Sequence, residues 1–174
     1  MRARILQSGA GAEPMAEFLF YHLTQAPLQR ALPEVLNRSL QRGWRVVLRA
    51  GAADRLAGLD EMLWTHDEAS FLPHGTAAMG HEAEQPVYLT AGRENPNGAK
   101  VLMLVDGARV AVEEDAAWDR ICLFFDDSTP DALQNARADW VAVRDAGLAG
   151  KYWAQEDGRW VEKAATGSAA SSRP

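Results

Sequence analysis

Short apolar runs alternate with stretches of helical periodicity through most of this 174-residue chain. Continuous apolar runs of strand length occur at 17–23, 44–51, 86–91, 100–107 and 119–125, and apolar residues recur at helical spacing over 27–43, 53–64 and 130–147. A strand that is apolar at every position is buried on both faces, as in a parallel sheet covered by helices. The alternation therefore predicts an α/β fold, a three-layer α/β/α domain with a mostly parallel central sheet.

Individual residues set expectations for the helix ends and for the last strands. Pro33 lies inside the first predicted helix, so this helix either begins later or bends there. An Asp-Ser-Thr run precedes Pro130, which is typical of a helix cap followed by a proline in the first turn. The stretch "YWAQEDGRWVEK", residues 152–163, places Asp157-Gly158 between two Trp-bearing runs and predicts a C-terminal β-hairpin.

Length and composition predict one domain with two irregular ends. A chain of 174 residues with 47% hydrophobic content can bury one core but is too short for two independent domains. We expect residues 15–163 to form the domain and residues 1–14, which are Gly/Ala-rich, to be a flexible leader. The Ala/Ser-rich residues 164–174 lack apolar side chains that would offset the entropy of ordering, and we expect a disordered tail.

The charge of the chain bears on its partners and its location. The net charge is −6 and the pI about 5.2, so the field of the whole molecule repels polyanions and predicts that any link to DNA is indirect, through a protein. No run approaches the length of a membrane span. The single cysteine, Cys122, lies in the apolar run "ICLFF" and is expected to be a buried small residue, which fits a reducing cytoplasm.

The motifs that give many α/β proteins their chemistry do not occur here. There is no phosphate-binding G-x-x-x-x-G-K-[ST] loop, and "NPNGAK" lacks its spacing and hydroxyl. The Gly-containing "GAGAEP" precedes the first strand instead of following it, which is the wrong context for a dinucleotide loop. No G-x-S-x-G nucleophile elbow is present. We therefore expect no nucleotide cofactor.

The stretch "EMLWTHDEASFLPHG", residues 61–75, and the residues after it contain the one candidate metal site. The histidines and carboxylates concerned are His66, Asp67, Glu68, His74, His81, Glu82 and Glu84. Their spacing matches no known zinc pattern, and we expect no bound metal. A metal-dependent or hydrolase-like α/β enzyme of unknown substrate nevertheless remains the alternative function.

The last predicted helix places two arginines unusually. Ala136, Trp140 and Val143 share one apolar arc, and Arg137 and Arg144 project close to Trp140 within the apolar half of the helix. One interpretation is that both arginines pair with the protein's own carboxylates, such as Asp126 or Asp127, since an unpaired buried guanidinium is unfavourable. The other is a pocket with a cationic rim and an aromatic floor, suited to a peptide C-terminus.

The order of these segments resembles a known family. "FLFYHL", "ALPEVLNRSLQRGWRVVLRAG", "RLAGLDEMLWTHDEASFLPHG", "PVYLTA", "NARADWVAVRDAG" and the Trp-containing hairpin resemble the chi subunit of the DNA polymerase III holoenzyme over roughly residues 15–163. The resemblance implies a Rossmann-like fold without a P-loop and a non-catalytic accessory subunit of the clamp-loader complex. It further implies two partners: the psi subunit, or another helical partner, and the acidic, Phe-ending tail of single-stranded-DNA-binding protein.

The resemblance also implies a role for individual residues. Trp64, Phe71 and Pro73 match the family's Leu-Trp and Ser-Phe-x-Pro elements on the side associated with psi. Arg137 matches an arginine of the tail-binding helix, Trp140 stands where an aromatic residue is expected, and Arg144 aligns with a basic position. The terminal ring of the tail is expected near Trp140 and near Phe125 or Phe124. The histidines beside Trp64 and Phe71 are expected to be incidental. One alternative stays open: Trp64 and Phe71 close the core of their own domain.

Overall fold

The computed structural model describes residues 15–67 and 69–167. Within these ranges it contains three α-helices, α1 (Leu28–Gln41), α2 (Leu56–Thr65) and α3 (Pro130–Asp145). The strands are β1 (Glu17–His22), β2 (Val46–Ala50), β3 (Gly75–Thr76), β4 (Val87–Thr90), β5 (Val101–Val105), β6 (Arg120–Phe125), β7 (Gly150–Glu156) and β8 (Arg159–Thr166). The expected leader, residues 1–14, and the last seven residues of the expected tail, 168–174, lie outside the described residues.

All eight strands belong to one sheet in the order β3-β4-β2-β5-β6-β1-β7-β8. Every neighbouring pair is parallel except β7 and β8, which form the antiparallel C-terminal hairpin. The mostly parallel sheet and the hairpin are therefore confirmed. The two-residue strand β3 was not predicted, because two residues carry no periodicity.

The sheet lies between two layers of helix. Residues of β2, β4 and β5 are buried at every position, as the continuous apolar runs predict. On one face Leu36 of α1 and Leu63 of α2 share a buried cluster with Leu48 of β2. On the other face Val143 of α3 lies in a cluster with Phe20 of β1. The three-layer α/β/α arrangement is confirmed.

The helix ends follow local chemistry. The first helix begins at Leu28 and continues through Pro33, so its start lies one residue after the predicted one. The second predicted helix opens as a 3-10 turn over 53–55 before α2 begins. Before α3 the Thr129 hydroxyl accepts a hydrogen bond from the Ala132 backbone N–H at 3.2 Å, and Pro130 occupies the first turn as expected.

The hairpin is longer than expected. Asp157 and Gly158 both have positive φ, 50° and 75°, as the tight turn of a two-residue hairpin requires. Strand β8 then continues to Thr166, which is opposite Gly150. The expectation that the tail begins at 164 is therefore wrong for residues 164–166. Their backbone pairs with β7, and that pairing needs no apolar side chain.

No helix in residues 15–67 or 69–167 is long and apolar enough to cross a membrane.

Candidate functional site

Three neighbouring strands bring aromatic side chains together beneath α3. In the β6-β1-β7 part of the sheet, His22 is in register with Phe125, and Phe20 is in register with Tyr152. In-register residues of parallel neighbours point to the same face, and residues two apart on one strand do so as well. Phe125, Phe20, His22 and Tyr152 therefore all face the layer of α3.

Trp140 of α3 packs onto this aromatic floor. Its ring meets Phe20 edge-to-face, with centroids 5.2 Å apart, and meets Tyr152 edge-to-face at 6.0 Å. Arg137 lies one helical turn before Trp140 and so shares its side of the helix. We call Arg137, Trp140, Tyr152, His22 and Phe125 the Arg137 cluster.

A chain of hydrogen bonds crosses the Arg137 cluster. The Tyr152 hydroxyl is 2.8 Å from His22 Nδ1, and His22 Nε2 is 2.8 Å from a carboxylate oxygen of Asp127. Phe125 stacks on the His22 ring with centroids 4.7 Å apart. Burial raises the pKa of the Tyr152 phenol and the Asp127 carboxylate raises it further, while the Arg137 guanidinium acts in the opposite direction. The positive charge of Arg137 thus favours the ionised form of the Tyr152 phenol.

The two arginines of α3 are both exposed, but they differ in their partners. Among the described residues, no carboxylate lies within ion-pair distance of Arg137. Arg144 pairs at 3.1 Å with its exposed neighbour Asp145. The interpretation that the arginines pair with the protein's own carboxylates therefore holds for Arg144 but for no described partner of Arg137, and neither arginine pairs with the carboxylates after β6. Asp127 bonds to His22, and Asp126 accepts from the Ser128 backbone N–H.

At the end of β6, the two phenylalanines that were expected near the terminal ring of the tail point to opposite faces of the sheet. Phe125 faces α3 and lies in the Arg137 cluster, whereas Phe124 points to the opposite face and stacks on Tyr21 at 4.9 Å. Adjacent residues of a strand alternate between faces, so only one of the two can join Trp140. Phe125 is the one that does.

One charged residue of α3 was missed by sequence reasoning. Asp139 appears on the polar side of the helix in a wheel projection, yet its side chain is only 5% exposed. It accepts hydrogen bonds from Arg109 and from the Val110 backbone N–H at 3.0 Å. Asp139 therefore fixes α3 to the segment that follows β5. No signal in the sequence marked Arg109, thirty positions earlier, as its partner.

A second aromatic group lies at the end of α2. Trp64 is 51% exposed and Phe71 is 69% exposed, with ring centroids 5.8 Å apart. Pro73 is half-buried, and Leu72, which lies between Phe71 and Pro73, is buried. Trp64 and Phe71 therefore do not close the core, and that alternative is wrong. We call Trp64, Phe71 and Pro73 the Trp64 surface.

The Trp64 surface stands on a buried histidine. The His74 side chain is fully buried, and its ring lies 4.9 Å from the Trp64 ring. His74 Nδ1 donates to the Leu72 carbonyl at 2.6 Å, and Nε2 lies 3.0 Å from a carboxylate oxygen of Asp60, with poor alignment for a hydrogen bond. His74 thus links α2 to the loop that carries Phe71, and it is not incidental.

The histidines of this region have separate surroundings. His66 bonds to the Leu63 carbonyl at 2.9 Å, and His81 is exposed beside Glu84. Within residues 15–67 and 69–167, no group of three or more histidine, cysteine or carboxylate side chains is arranged to hold a metal ion. Glu68, a member of the candidate metal set, lies outside the described residues.

A cleft of about 430 Å³ lies at the carboxyl ends of β1, β5 and β6. Clefts at this edge commonly hold ligands in open α/β sheets. The charged side chains that line it are Arg55, Asp106, Arg109, Asp126, Asp131 and Asp139. Arg109 is already paired with Asp139, and burial raises the pKa of Asp106. With four aspartates and two arginines, the cleft is unsuited to an acidic ligand.

The fold and its surfaces define an α/β protein of the doubly wound class with two aromatic clusters. One is partly buried beside Arg137, which has no carboxylate partner among the described residues, and the other is exposed and packs on a buried histidine. The chain belongs to the family described as DNA polymerase III chi subunit, HolC, whose pattern it matches over residues 15–151. It is also similar to a probable DNA polymerase III subunit chi of Rickettsia prowazekii (strain Madrid E). Identity is 27% over 97 residues, which cover 56% of this chain and 59% of that relative.

Proposed function

We propose that this chain is a non-catalytic accessory subunit that connects the clamp-loader complex of DNA polymerase III to single-stranded-DNA-binding protein. It does so by binding the acidic C-terminal tail of that protein at the Arg137 cluster and along α3 to Arg144. Membership of the chi family supports the polymerase assignment. The observation that carries the tail site is the exposed Arg137 guanidinium, which lacks a carboxylate partner among the described residues and lies beside Trp140.

The chemistry of the Arg137 cluster suits the end of such a tail. A guanidinium binds a terminal carboxylate through two parallel hydrogen bonds, and this contact fixes the direction of the peptide. Trp140 is half-buried and so offers part of its surface to a terminal phenyl ring, with Phe125 and Tyr152 behind it. Arg144 lies two turns further along α3, roughly 10 Å away, where an upstream acidic residue of the tail would pass.

The cleft at the carboxyl ends of the strands is the competing location for the tail. Its volume is about 430 Å³, but its aspartates outnumber its arginines, and one arginine is already paired. Like charges facing each other across an interface are unfavourable. The exposed face of α3 at Arg137 is therefore the better receptor for an acidic peptide.

The Trp64 surface supports a second contact. We assign it to the psi subunit or another helical partner. Two largely exposed aromatic rings in contact with each other form an apolar anchor of the kind found at the centre of protein interfaces. His74 holds Trp64 from below, so little ordering is needed on binding.

This assignment makes contact with DNA indirect, through the coated strand, and places the protein in the cytoplasm with the replication machinery. It needs no cofactor and no metal. Nothing in the arrangement of the described residues favours the alternative of a metal-dependent or hydrolase-like enzyme.

A binding experiment with coated DNA tests the proposal. The protein is passed over immobilised single-stranded DNA coated with full-length single-stranded-DNA-binding protein, and over DNA coated with a version that lacks its C-terminal tail. We expect retention only on the first surface. Equal retention on both surfaces would show that the tail is not the ligand.

A further inference from the structure

The Tyr152–His22–Asp127 chain beside Arg137 has only one arrangement of hydrogens when His22 is neutral. A carboxylate only accepts, so the hydrogen of the ring lies on Nε2 and is donated to Asp127. Nδ1 then carries a lone pair and accepts the hydroxyl hydrogen of Tyr152. The single hydrogen that Tyr152 can donate is therefore taken up inside the protein.

Protonation of His22 reverses one of these bonds. The imidazolium donates from both nitrogens, so Nδ1 donates to the Tyr152 oxygen. The hydroxyl hydrogen of Tyr152 is then free to be donated elsewhere. Trp140 contacts the Tyr152 ring, and Arg137 is one turn from Trp140, so a carboxylate bound at Arg137 would be a new acceptor for this hydrogen.

We propose that Tyr152 is a further ligand-binding residue of the Arg137 cluster, which donates its hydroxyl hydrogen to the carboxylate of a bound peptide when His22 is protonated. His22 is the positioning residue of this contact. The inference rests on the proposed function of the same site and adds that a proton is taken up when the peptide binds. Peptide binding is coupled to proton uptake, so affinity falls as the pH rises.

The charges around His22 support this direction. Asp127 after β6 faces Nε2, Tyr152 of β7 faces Nδ1, and the charge of Arg137 on α3 acts on Tyr152 to lower its pKa. Phe125, stacked on the ring, is neutral. With neutral His22 the uncompensated Asp127 carboxylate repels an anionic peptide, whereas the imidazolium cancels that charge. Both effects favour binding to the protonated form.

The experiment is calorimetry of the full chain with a short acidic peptide that ends in phenylalanine with a free carboxylate. Binding is measured at about pH 6 and about pH 8, on either side of the range in which histidine commonly changes charge. His22→Gln keeps a donor toward Asp127 but cannot take up a proton. Tyr152→Phe removes only the hydroxyl. His81→Gln, at an exposed histidine paired with Glu84, is the matched control.

We expect the wild type and His81→Gln to bind about tenfold more tightly at the lower pH, since a hydrogen bond to a charged group has roughly that effect. His22→Gln and Tyr152→Phe should show little dependence on pH and should bind like the wild type at the higher pH. If the wild type binds equally at both, or if His22→Gln keeps the dependence, the inference is wrong while the tail site stands. If no peptide binds at either pH, the proposed function and the inference both fail.

Discussion

The Asp139 carboxylate of α3 accepts three hydrogen bonds from the Arg109 guanidinium, the shortest at 2.6 Å, and a fourth from the Val110 backbone N–H. Arg109 is also within hydrogen-bond distance of Asn135, which lies one turn before Asp139 on α3. This contact fixes the orientation of α3, because the carboxylate is buried on the side of the helix that also carries the buried Ala136 and Val143. The position of Arg137 and Trp140 depends on it.

Removal of Arg109 should therefore destabilise the protein. Arg109→Ala leaves the buried Asp139 carboxylate with only the Val110 N–H as a donor, and an unpaired buried charge is unfavourable. Arg109 is itself half exposed, so we expect a loss of about 1–3 kcal/mol in the free energy of unfolding, below the value for a fully buried pair. Urea denaturation measures it.

The matched control is Arg93→Ala. Arg93 pairs with Glu113 at 3.8 Å, and both side chains are largely exposed. Such a pair contributes at most about 1 kcal/mol. Equal stability losses in the two variants would show that the Asp139 contact does not hold α3.

Trp64→Ala tests the Trp64 surface. Because the ring is 51% exposed, its removal leaves no sealed cavity, and we expect a stability loss of roughly 1 kcal/mol or less. Co-purification of a small helical partner should be lost, as happens when a central interface anchor is truncated. Leu63→Ala, at the buried neighbour on α2, is the contrasting variant and should cost about 2–5 kcal/mol. If Trp64→Ala is as destabilising as Leu63→Ala, Trp64 is a core residue.

Cys122 provides a test of the core that depends on pH. Burial raises the pKa of its thiol from 9.0 to about 12. A group whose pKa is higher in the folded state holds its proton more tightly there, so its contribution to stability is present below pH 9 and is lost as the pH rises toward 12.

A thiol reagent should label the folded protein at about pH 8 only as fast as the protein unfolds. Rapid labelling would mean that β6 is accessible.

Most of the fold could be predicted because its signals are local. Continuous apolar runs are enough to identify buried strands, and Asp157-Gly158 is enough to identify a tight hairpin turn, since its positive φ angles favour these residue types. The end of β8 could not be predicted in this way. Residues 164–166 are held by backbone pairing with β7, and their small side chains give no sign of it.

The site was less predictable because its residues meet across the sheet. Trp140 and Arg137 were singled out as candidates by helical spacing and by resemblance to the chi family. Tyr152 and His22 were not, since their contact depends on which strands are neighbours, and β1 and β7 are far apart in sequence. Asp139 was assigned to the wrong side for the same reason: its partner lies in another segment. A wheel projection shows which residues share a face of the helix, but it does not show which other segments of the protein pack against that face.

Naked single-stranded DNA should not bind this protein at physiological salt. The net charge of −6 repels the strand, and the exposed guanidinium at Arg137 is one positive group rather than a groove of them. We expect no change in the fluorescence anisotropy of a labelled oligonucleotide until single-stranded-DNA-binding protein is added. Tight binding to the bare strand that weakens with salt would contradict the indirect link to DNA.

The last prediction isolates the contact between Arg137 and the carboxylate of the tail. Arg137→Ala should weaken binding of the acidic, Phe-ending peptide by roughly 1.5–3 kcal/mol, or about ten- to a hundredfold in Kd, because one charge-assisted bidentate contact is removed. Arg137 has no carboxylate partner among the described residues, so its loss should leave stability unchanged. Arg93→Ala, at an exposed arginine elsewhere, controls for the lost charge.

Amidation of the peptide provides the second half of a double-mutant cycle. The amide removes the same contact from the other side, so it should weaken binding to the wild type by about as much as Arg137→Ala does. It should have little further effect on Arg137→Ala itself, because two changes that remove one interaction are not additive. Calorimetry of the four combinations gives the coupling energy directly. If the amidated and free peptides bind the wild type equally well, Arg137 does not contact the carboxylate, and the tail is held elsewhere on the protein.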